Sequence, residues 1–238
     1  MRIAKHYFFT TVLLLALVAR SFGQTATDNI VSHVADPAKD NIQFFWKDDK
    51  GNIFRSIHNL KRWLDGRKTQ LVFAMNGGMY MEDYRPLGLY IENGKKIRQV
   101  NRDSGYGNFY MMPNGIFYVT DKGKAVVCKT QDYKSDAGIK YATQSGPLLV
   151  INGTIHSSFK KGSANVHIRN GVGILPDGKV LFAISKTPVN LYDFAEYFKS
   201  AGCKNALFLD GFVSRAWIPA KNWTQTDGDF GAIIAVTK

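Results

Sequence analysis

Arg169-Asn170-Gly171-Val172-Gly173-Ile174-Leu175-Pro176-Asp177-Gly178-Lys179-Val180-Leu181-Phe182-Ala183-Ile184-Ser185 reads as an antiparallel hairpin. Two β-forming apolar runs, 172–175 and 180–185, flank a Pro-Asp-Gly turn. The pattern recurs outward in both directions. Residues 42–46 and 52–54 flank Asp48-Asp49-Lys50-Gly51, and 88–92 and 96–100 flank Asn93-Gly94, the strongest short hairpin turn. Residues 116–120 and 125–129 flank Asp121-Lys122-Gly123, while 148–151 passes through Asn152-Gly153 into Thr154-Ile155. Repeated hairpins of this kind predict sheets that are mainly antiparallel.

Two segments carry helical spacing instead. Ser56 can cap a helix to Leu64 that places Ile57, Leu60 and Leu64 on one face. Asn190 can cap a second, 191–201, with Leu191, Phe194, Ala195 and Phe198 in register and Gly202 as terminator. An apolar strand over 232–236 closes the chain. The expected architecture is α+β: a β-rich single domain over 41–238, with mixed, largely antiparallel sheets and a few covering helices.

The N-terminus reads differently. Arg2, Lys5 and His6 precede an apolar stretch from Tyr7 to Ala19 that is too short to span a bilayer comfortably, and Ser21-Phe22-Gly23 offers a cleavage site. Residues 1–23 are expected to be a signal peptide rather than an uncleaved anchor, and 24–40 a loose leader. The protein is therefore expected to be exported, periplasmic or secreted, with no stable membrane insertion after cleavage.

The formal charge of +12 is spread along the chain, with no basic stripe interleaved with aromatics. This disfavours nucleic acid as a partner and favours anionic glycans, phosphate-bearing polymers or an envelope surface. Cys128 and Cys203 are compatible with a disulfide in an exported protein or with two buried thiols. No cofactor or metal is expected, because neither a P-loop nor zinc-ligand spacing is present, while Asp and Asn oxygens leave a calcium site open. Ser145 lacks a nucleophile elbow, and no spacing ties His156 or His167 to it.

Four β runs meet a polar residue beside glycine: Asn76-Gly77-Gly78, Ser145-Gly146-Pro147, Arg169-Asn170-Gly171 and Asp210-Gly211. Consecutive N–H groups in the turn at Asn76, Gly77 and Gly78 could form an anion nest. Asp210 follows four apolar residues, and a carboxylate at the end of a buried strand is costly unless paired or used. Arg169 and Arg215 are its candidate partners, since arginine suits bidentate binding of carboxylate or phosphate.

These segments in order, together with Pro86-Leu87-Gly88-Leu89-Tyr90 and Gly107-Asn108-Phe109-Tyr110, resemble the phosphodiester glycosidase family over about residues 70–236. The resemblance includes the uncovering-enzyme-like members and is nearest to the exported bacterial branch associated with exopolysaccharide. It implies a hydrolase that releases a sugar from a sugar phosphodiester and leaves a phosphomonoester. It also implies catalytic roles for Asp210, Arg169 and Asn76, with Gly77, Gly78, Ser145, Gly146 and Ser214 binding substrate; Arg215 joins the expected substrate-binding set from its own chemistry. Asp210 would support an oxocarbenium ion or activate water, Arg169 and the glycine turn would hold phosphate, and the two serines would meet hydroxyls. Phe212, where the family often carries glycine-rich sequence, would narrow the site or stack on a sugar. Glu82 and Glu92 flank the matched segments, Glu92 at a turn where solvent is the expected environment. The alternative is a non-catalytic envelope protein that binds glycan or anionic polymer on the same scaffold, with Trp46, Trp63, Trp217 and Trp223 as stacking surface if exposed.

Overall fold

The structure is a computed structural model and describes residues 28–135, 138–210 and 212–238. The expected signal peptide, the first residues of the expected leader (24–27) and Gly211 lie outside the described residues. Among the described residues no helix is long and apolar enough to cross a membrane.

Three antiparallel sheets carry the fold. The first runs in the order β1 (Ile30–Ala35), β12 (Val180–Ser185), β11 (Asn170–Ile174), β13 (Ala206–Phe208), β9 (Leu148–Ile151), β10 (Thr154–Ile155). The second runs β15 (Trp223–Thr224), β14 (Ala216–Ile218), β3 (Leu71–Asn76), β16 (Ile233–Thr237), β2 (Asn41–Phe45). The third runs β5 (Lys95–Arg98), β4 (Tyr90–Glu92), β8 (Ile139–Ser145), β6 (Gly115–Thr120), β7 (Ala125–Lys129). The hairpins expected at 88–100, 116–129, 148–155 and 172–185 are present. The one expected at 42–54 is reduced to β2 and an isolated Lys47–Ile53 bridge. No strand pair among the described residues is parallel, which corrects the expectation of a mixed sheet.

The expected loose leader also needs correction. Residues 30–35 pair with the whole of β12, from Ile30 opposite Ser185 to Ala35 opposite Val180. Val31 and Ala35 turn inward, and the His33 ring stacks on Phe73 at 4.7 Å. An edge strand with two small inward residues and polar neighbours carries little apolar signal, so its composition reads as leader.

The sheets meet around aromatic rings contributed by all three. Phe73 of β3 stacks on Phe182 of β12 at 4.8 Å, Phe182 meets Phe117 of β6 at 5.9 Å, and Phe117 meets Phe44 of β2 at 5.8 Å. These four rings are at most 1% exposed. Truncating any one to alanine should cost about 3–5 kcal/mol. Helix α1 (Ile57–Asp65) buries Ile57, Leu60 and Leu64 against the second sheet, and α2 (Leu191–Ser200) buries Phe194, Ala195 and Phe198 against the first. Both caps form as expected: Ser56 Oγ accepts from the Asn59 N–H, and Asn190 Oδ1 from the Asp193 N–H. Cys128 and Cys203 are free thiols, and burial pushes both up to about 11.

His156 is 2% exposed. Its Nε2 lies 3.0 Å from the Met112 carbonyl, and its Nδ1 accepts the Ser158 N–H at 3.1 Å. The neutral ring with its proton on Nε2 satisfies both contacts, whereas the protonated ring loses the second. Burial lowers its pKa below 6.5, and burial does the same for His33 against a smaller opposing pull from Asp40. The unfolded chain therefore binds these protons more readily. Stability is fully present above pH 6.5 and is lost as pH falls below it, until the folded imidazoles protonate. Thermal unfolding followed from pH 7.5 to 5 should show a falling Tm, with a shallower fall in His156→Gln.

Candidate active site

The four polar strand ends converge. Asn76 ends β3 in the second sheet, Asn170 begins β11 in the first, Asp210 follows β13, and Ser145 ends β8 in the third. Asn170 Nδ2 donates to both the carbonyl and the Oδ1 of Asn76, each at 3.0 Å, and Asn170 Oδ1 accepts the Asp210 N–H at 3.0 Å. Asn76 Nδ2 in turn donates to Asp210 Oδ2 at 3.1 Å and to the Val213 carbonyl at 2.6 Å. The Arg215 N–H fills the remaining lone pair of Asn76 Oδ1 at 2.9 Å. Phe212 N–H donates to Asp210 Oδ1 at 3.0 Å. Each carboxylate oxygen of Asp210, a residue 3% exposed, thus receives a fixed donor.

The serines hold the backbone instead of facing a ligand. Ser145, wholly buried, donates its hydroxyl to the Leu209 carbonyl immediately before Asp210. Ser214 Oγ lies 3.1 Å from the carbonyls of both Ile168 and Asp210. Their expected contact with substrate hydroxyls gives way to positioning of the strand end. The glycine turn is corrected in the same direction. Gly77 donates its N–H to the Ala232 carbonyl, and neither Gly77 nor Gly78 adopts the positive φ that a nest requires. A side chain at Gly78 would stand 2.6 Å from the Gln144 carbonyl, so the residue is small because β8 passes against it. Gly146 plays the equivalent part for the 108–110 turn, where an added Cβ would approach the Phe109 carbonyl to 2.8 Å.

Arg215 does not reach the carboxylate with its guanidinium, which pairs with the Asp227 carboxylate at 2.9 Å and donates to the Ser214 carbonyl. Arg169 directs Nε to the Val189 carbonyl and Nη2 to Asn165, and it lines a different cavity from the one at Asp210. Glu92 is partly buried at its turn: Tyr90 donates to it at 2.9 Å, and burial raises its pKa. No tryptophan lines either cavity. Trp46 is buried, and the other three are partly buried against core clusters.

Asp210 opens into a cavity of about 680 Å³, within the range of ligand sites. Its walls include Tyr80, Tyr84, Tyr106, Tyr110 and Phe212, and its other carboxylates are Glu82 and Asp229. Asp229 is the clearest residue missed in the sequence. Arg55 grips it through Nε at 2.7 Å and Nη2 at 2.8 Å, and the Tyr84 hydroxyl donates to it at 2.8 Å. The Arg55 hydrogen bond is the main cause that keeps this carboxyl below the usual range, so it remains ionised. Arg55 also lies over the Tyr84 ring at 4.1 Å, and Tyr84 stacks on Tyr80 at 5.7 Å. Arg55 and Tyr84 both adopt positive φ, 62° and 63°, which costs about 1–3 kcal/mol each and clusters at functional sites. Burial, then Asp210, then Asp229 push the Tyr80 phenol far above its ordinary value, so it remains a donor and bonds the Asp229 carbonyl at 2.8 Å. The only sequence signal for Asp229 was the acidic, glycine-containing run Asp227-Gly228-Asp229 before the last strand.

The sequence profile described as phosphodiester glycosidase (NAGPA) matches residues 69–234, which include all four strand ends and Asp229. The chain belongs to the phosphodiester glycosidase family. The Escherichia coli (strain K12) protein named "Uncharacterized protein YigE" is 35% identical over 215 residues, 88% of this chain and 84% of its own. The catalytic domain of zebrafish N-acetylglucosamine-1-phosphodiester alpha-N-acetylglucosaminidase, auto-inhibited by its pro-peptide, shares the fold. It aligns with a TM-score of 0.54 at 15% identity, covering 87% of this chain and 88% of that one. A hypothetical protein from Synechocystis gives 0.52 at 12% identity over 87% of this chain and 59% of its own. Arg55 lies outside the segment matched by the family profile, so this wall of the cavity is assembled partly from elsewhere.

Asn170→Ala removes the amide from the Asn76 carbonyl and the Asp210 N–H and leaves Asn76 Oδ1 with the Arg215 N–H alone. It should lower stability by about 2–4 kcal/mol in urea unfolding, well beyond an ordinary surface change. Phe212, 92% exposed, makes a contrasting pair with it. Phe212→Ala should leave the urea midpoint unchanged.

Proposed function

We propose that the Asp210 cavity hydrolyses a sugar phosphodiester, releasing the sugar and leaving a phosphomonoester on the aglycone. The observation that carries this reading is a buried carboxylate with both oxygens held by donors, at the floor of an aromatic-walled cavity in a chain of this family. Aromatic rings suit the apolar face of a sugar. Cleavage of the carbon–oxygen bond develops positive charge on the sugar ring, and Asp210 and Glu82 supply negative potential around it, the charge of Asp229 being offset by Arg55. A phosphomonoester is a good leaving group and needs little acid assistance. Asp210 then either bonds transiently to the anomeric carbon or takes a proton from the attacking water, while Asn76 fixes its orientation. Tyr80, held protonated, spends its one proton on the Asp229 carbonyl and leaves its oxygen lone pairs to accept from a ring hydroxyl.

In this reading the protein is exported and meets its substrate among exopolysaccharides or envelope glycans. The dispersed basic charge supports approach to an anionic polymer.

Asp210→Asn preserves shape and removes the charge. Against a panel of sugar phosphodiesters it should lower kcat by roughly 10²-fold or more while the fold is retained. Wild-type turnover by this variant overturns the assignment. In isotopically labelled water the label should appear in the sugar; label in the phosphate would mean phosphorus–oxygen cleavage. Phe212→Ala should raise KM by about three- to tenfold with little change in kcat, as expected for loss of a stacking ring. Binding without turnover by the wild type would select the glycan-binding alternative.

A further inference from the structure

Arg55, Tyr84 and Asp229 close a triangle of hydrogen bonds at the wall of the Asp210 cavity. Arg55 Nε donates to Asp229 Oδ1 at 2.7 Å, and Nη2 donates to Oδ2 at 2.8 Å. The same Nη2 donates to the Tyr84 hydroxyl at 2.7 Å, and that hydroxyl gives its own proton to Asp229 Oδ2 at 2.8 Å. A carboxylate offers about four lone-pair positions, and these contacts leave one on Oδ1. The guanidinium also lies over the Tyr84 ring at 4.1 Å, and Tyr84 stacks on Tyr80 at 5.7 Å with 13° between the rings. Asp229, Tyr84 and Tyr80 line the cavity, whereas Arg55 is not among its described lining residues and acts from behind them.

Stability does not account for this arrangement. The side chains of Arg55 and Asp229 are 50% and 52% exposed, a setting in which an ion pair contributes little. Arg55 and Tyr84 nevertheless hold left-handed backbone, which bulky side chains avoid. The surrounding fold enforces it. Arg55 sits between the buried Phe54 and the helix cap Ser56, and its carbonyl accepts the Phe230 N–H at 2.9 Å. The His58 N–H donates to the Thr226 carbonyl at 2.8 Å, so two backbone bonds tie the start of α1 to the loop that presents Asp229. Trp46 Nε1 donates to the Tyr84 carbonyl at 2.9 Å and fixes the other corner of the triangle.

The chemistry of the wall follows from the charge that Arg55 offsets. An unpaired Asp229 would add a third carboxylate to a cavity already lined by Asp210 and Glu82, and would draw cations to it. Paired, it keeps a fixed acceptor beside stacked aromatic rings. Such a surface suits a neutral ring rich in hydroxyls, which donates to the carboxylate and lays its C–H face on an aromatic. We propose that Arg55 is a positioning residue that turns Asp229 and the Tyr84–Tyr80 stack into a subsite for a neutral polyhydroxyl ring, and biases it toward uncharged over aminated sugars. Identifying that ring as the sugar of the substrate rests on the sugar phosphodiester reading, whereas the subsite itself rests on the triangle and its stack.

The probes are matched pairs of free sugars: glucose and glucosamine, galactose and galactosamine, mannose and mannosamine. Each is titrated into the intact protein at mildly acidic pH, where the amines are cations, and followed by amide NMR. At least one neutral sugar should bind saturably, with shifts centred on Tyr80, Tyr84 and Asp229. Arg55→Met should weaken the neutral sugar and raise the ratio of amino-sugar to neutral-sugar affinity about tenfold. Arg55→Lys keeps the charge and loses the fork, so affinity should fall while the ratio stays near that of the wild type. Asp229→Asn should move the ratio the opposite way, and it keeps the proposal testable if Arg55→Met fails to fold. The double variant should bring the ratio back toward the wild-type value. A merely structural role would weaken both sugars of a pair alike. An unchanged ratio in the single variants Arg55→Met and Asp229→Asn, or no saturable binding of any neutral sugar, would overturn the subsite. Sugar binding that follows this pattern without turnover of sugar phosphodiesters would remove the hydrolase reading and leave the subsite standing. Normal turnover with an unchanged ratio would do the reverse.

Discussion

Asn170 and Asn76 face each other where two sheets meet, and nearly every feature of the candidate active site passes through that pair of side chains. A buried amide has two donors and an acceptor with two lone pairs to satisfy. Asn170 sends both of its contacts from Nδ2 to Asn76 and takes the Asp210 N–H on its oxygen. Asn76 then serves Asp210, Val213 and Arg215. The first sheet cannot shift against the second without breaking several of these bonds in a low-dielectric interior, where each is hard to replace. Ser145 adds the third sheet by bonding Leu209. The carboxylate is held by Asn76 and the Phe212 N–H, and the backbone that carries it by Asn170 and Ser145.

This dependence explains what could and could not be read in the sequence. The hairpins and helix caps are local, and their signals, such as Asn93-Gly94, Ser56 and Asn190, sit within a few residues of what they specify. The strand ends were legible as a group because each pairs an apolar run with a polar residue and glycine. Their roles were not. Ser145 and Ser214 look like substrate-facing hydroxyls until the acceptors at Leu209, Ile168 and Asp210 are seen, and the first two come from distant segments. Gly77 and Gly78 read as a nest, although the physical demand on them is close passage of neighbouring backbone. Tyr84, Arg55 and Asp229 assemble from three separate segments, so no window of sequence contains the wall they make.

Floor and rim of the site are built under different constraints. The floor residues Asn76, Ser145, Asn170 and Asp210 are at most 3% exposed and fully enmeshed in hydrogen bonds. Change there disturbs folding and chemistry together. The rim carries Tyr106 at full exposure and Phe212 at 92%, rings that contribute little to the core. Substitution at these positions can change what the cavity accepts with little effect on stability.

Arg169 completes the argument because it inverts the usual relation between burial and stability. A buried arginine is normally matched by a carboxylate, and leaving one donor unmatched lowers stability relative to an apolar residue of the same size. Here the fold surrounds the guanidinium with neutral acceptors and the Phe208 ring at 5.3 Å, and keeps the carboxylates in the adjoining cavity. A paired carboxylate at Arg169 would relieve the cost but would also compete with any anionic ligand. Asp210 and Glu82 line that adjoining cavity, and Asp229 beside them is paired with Arg55.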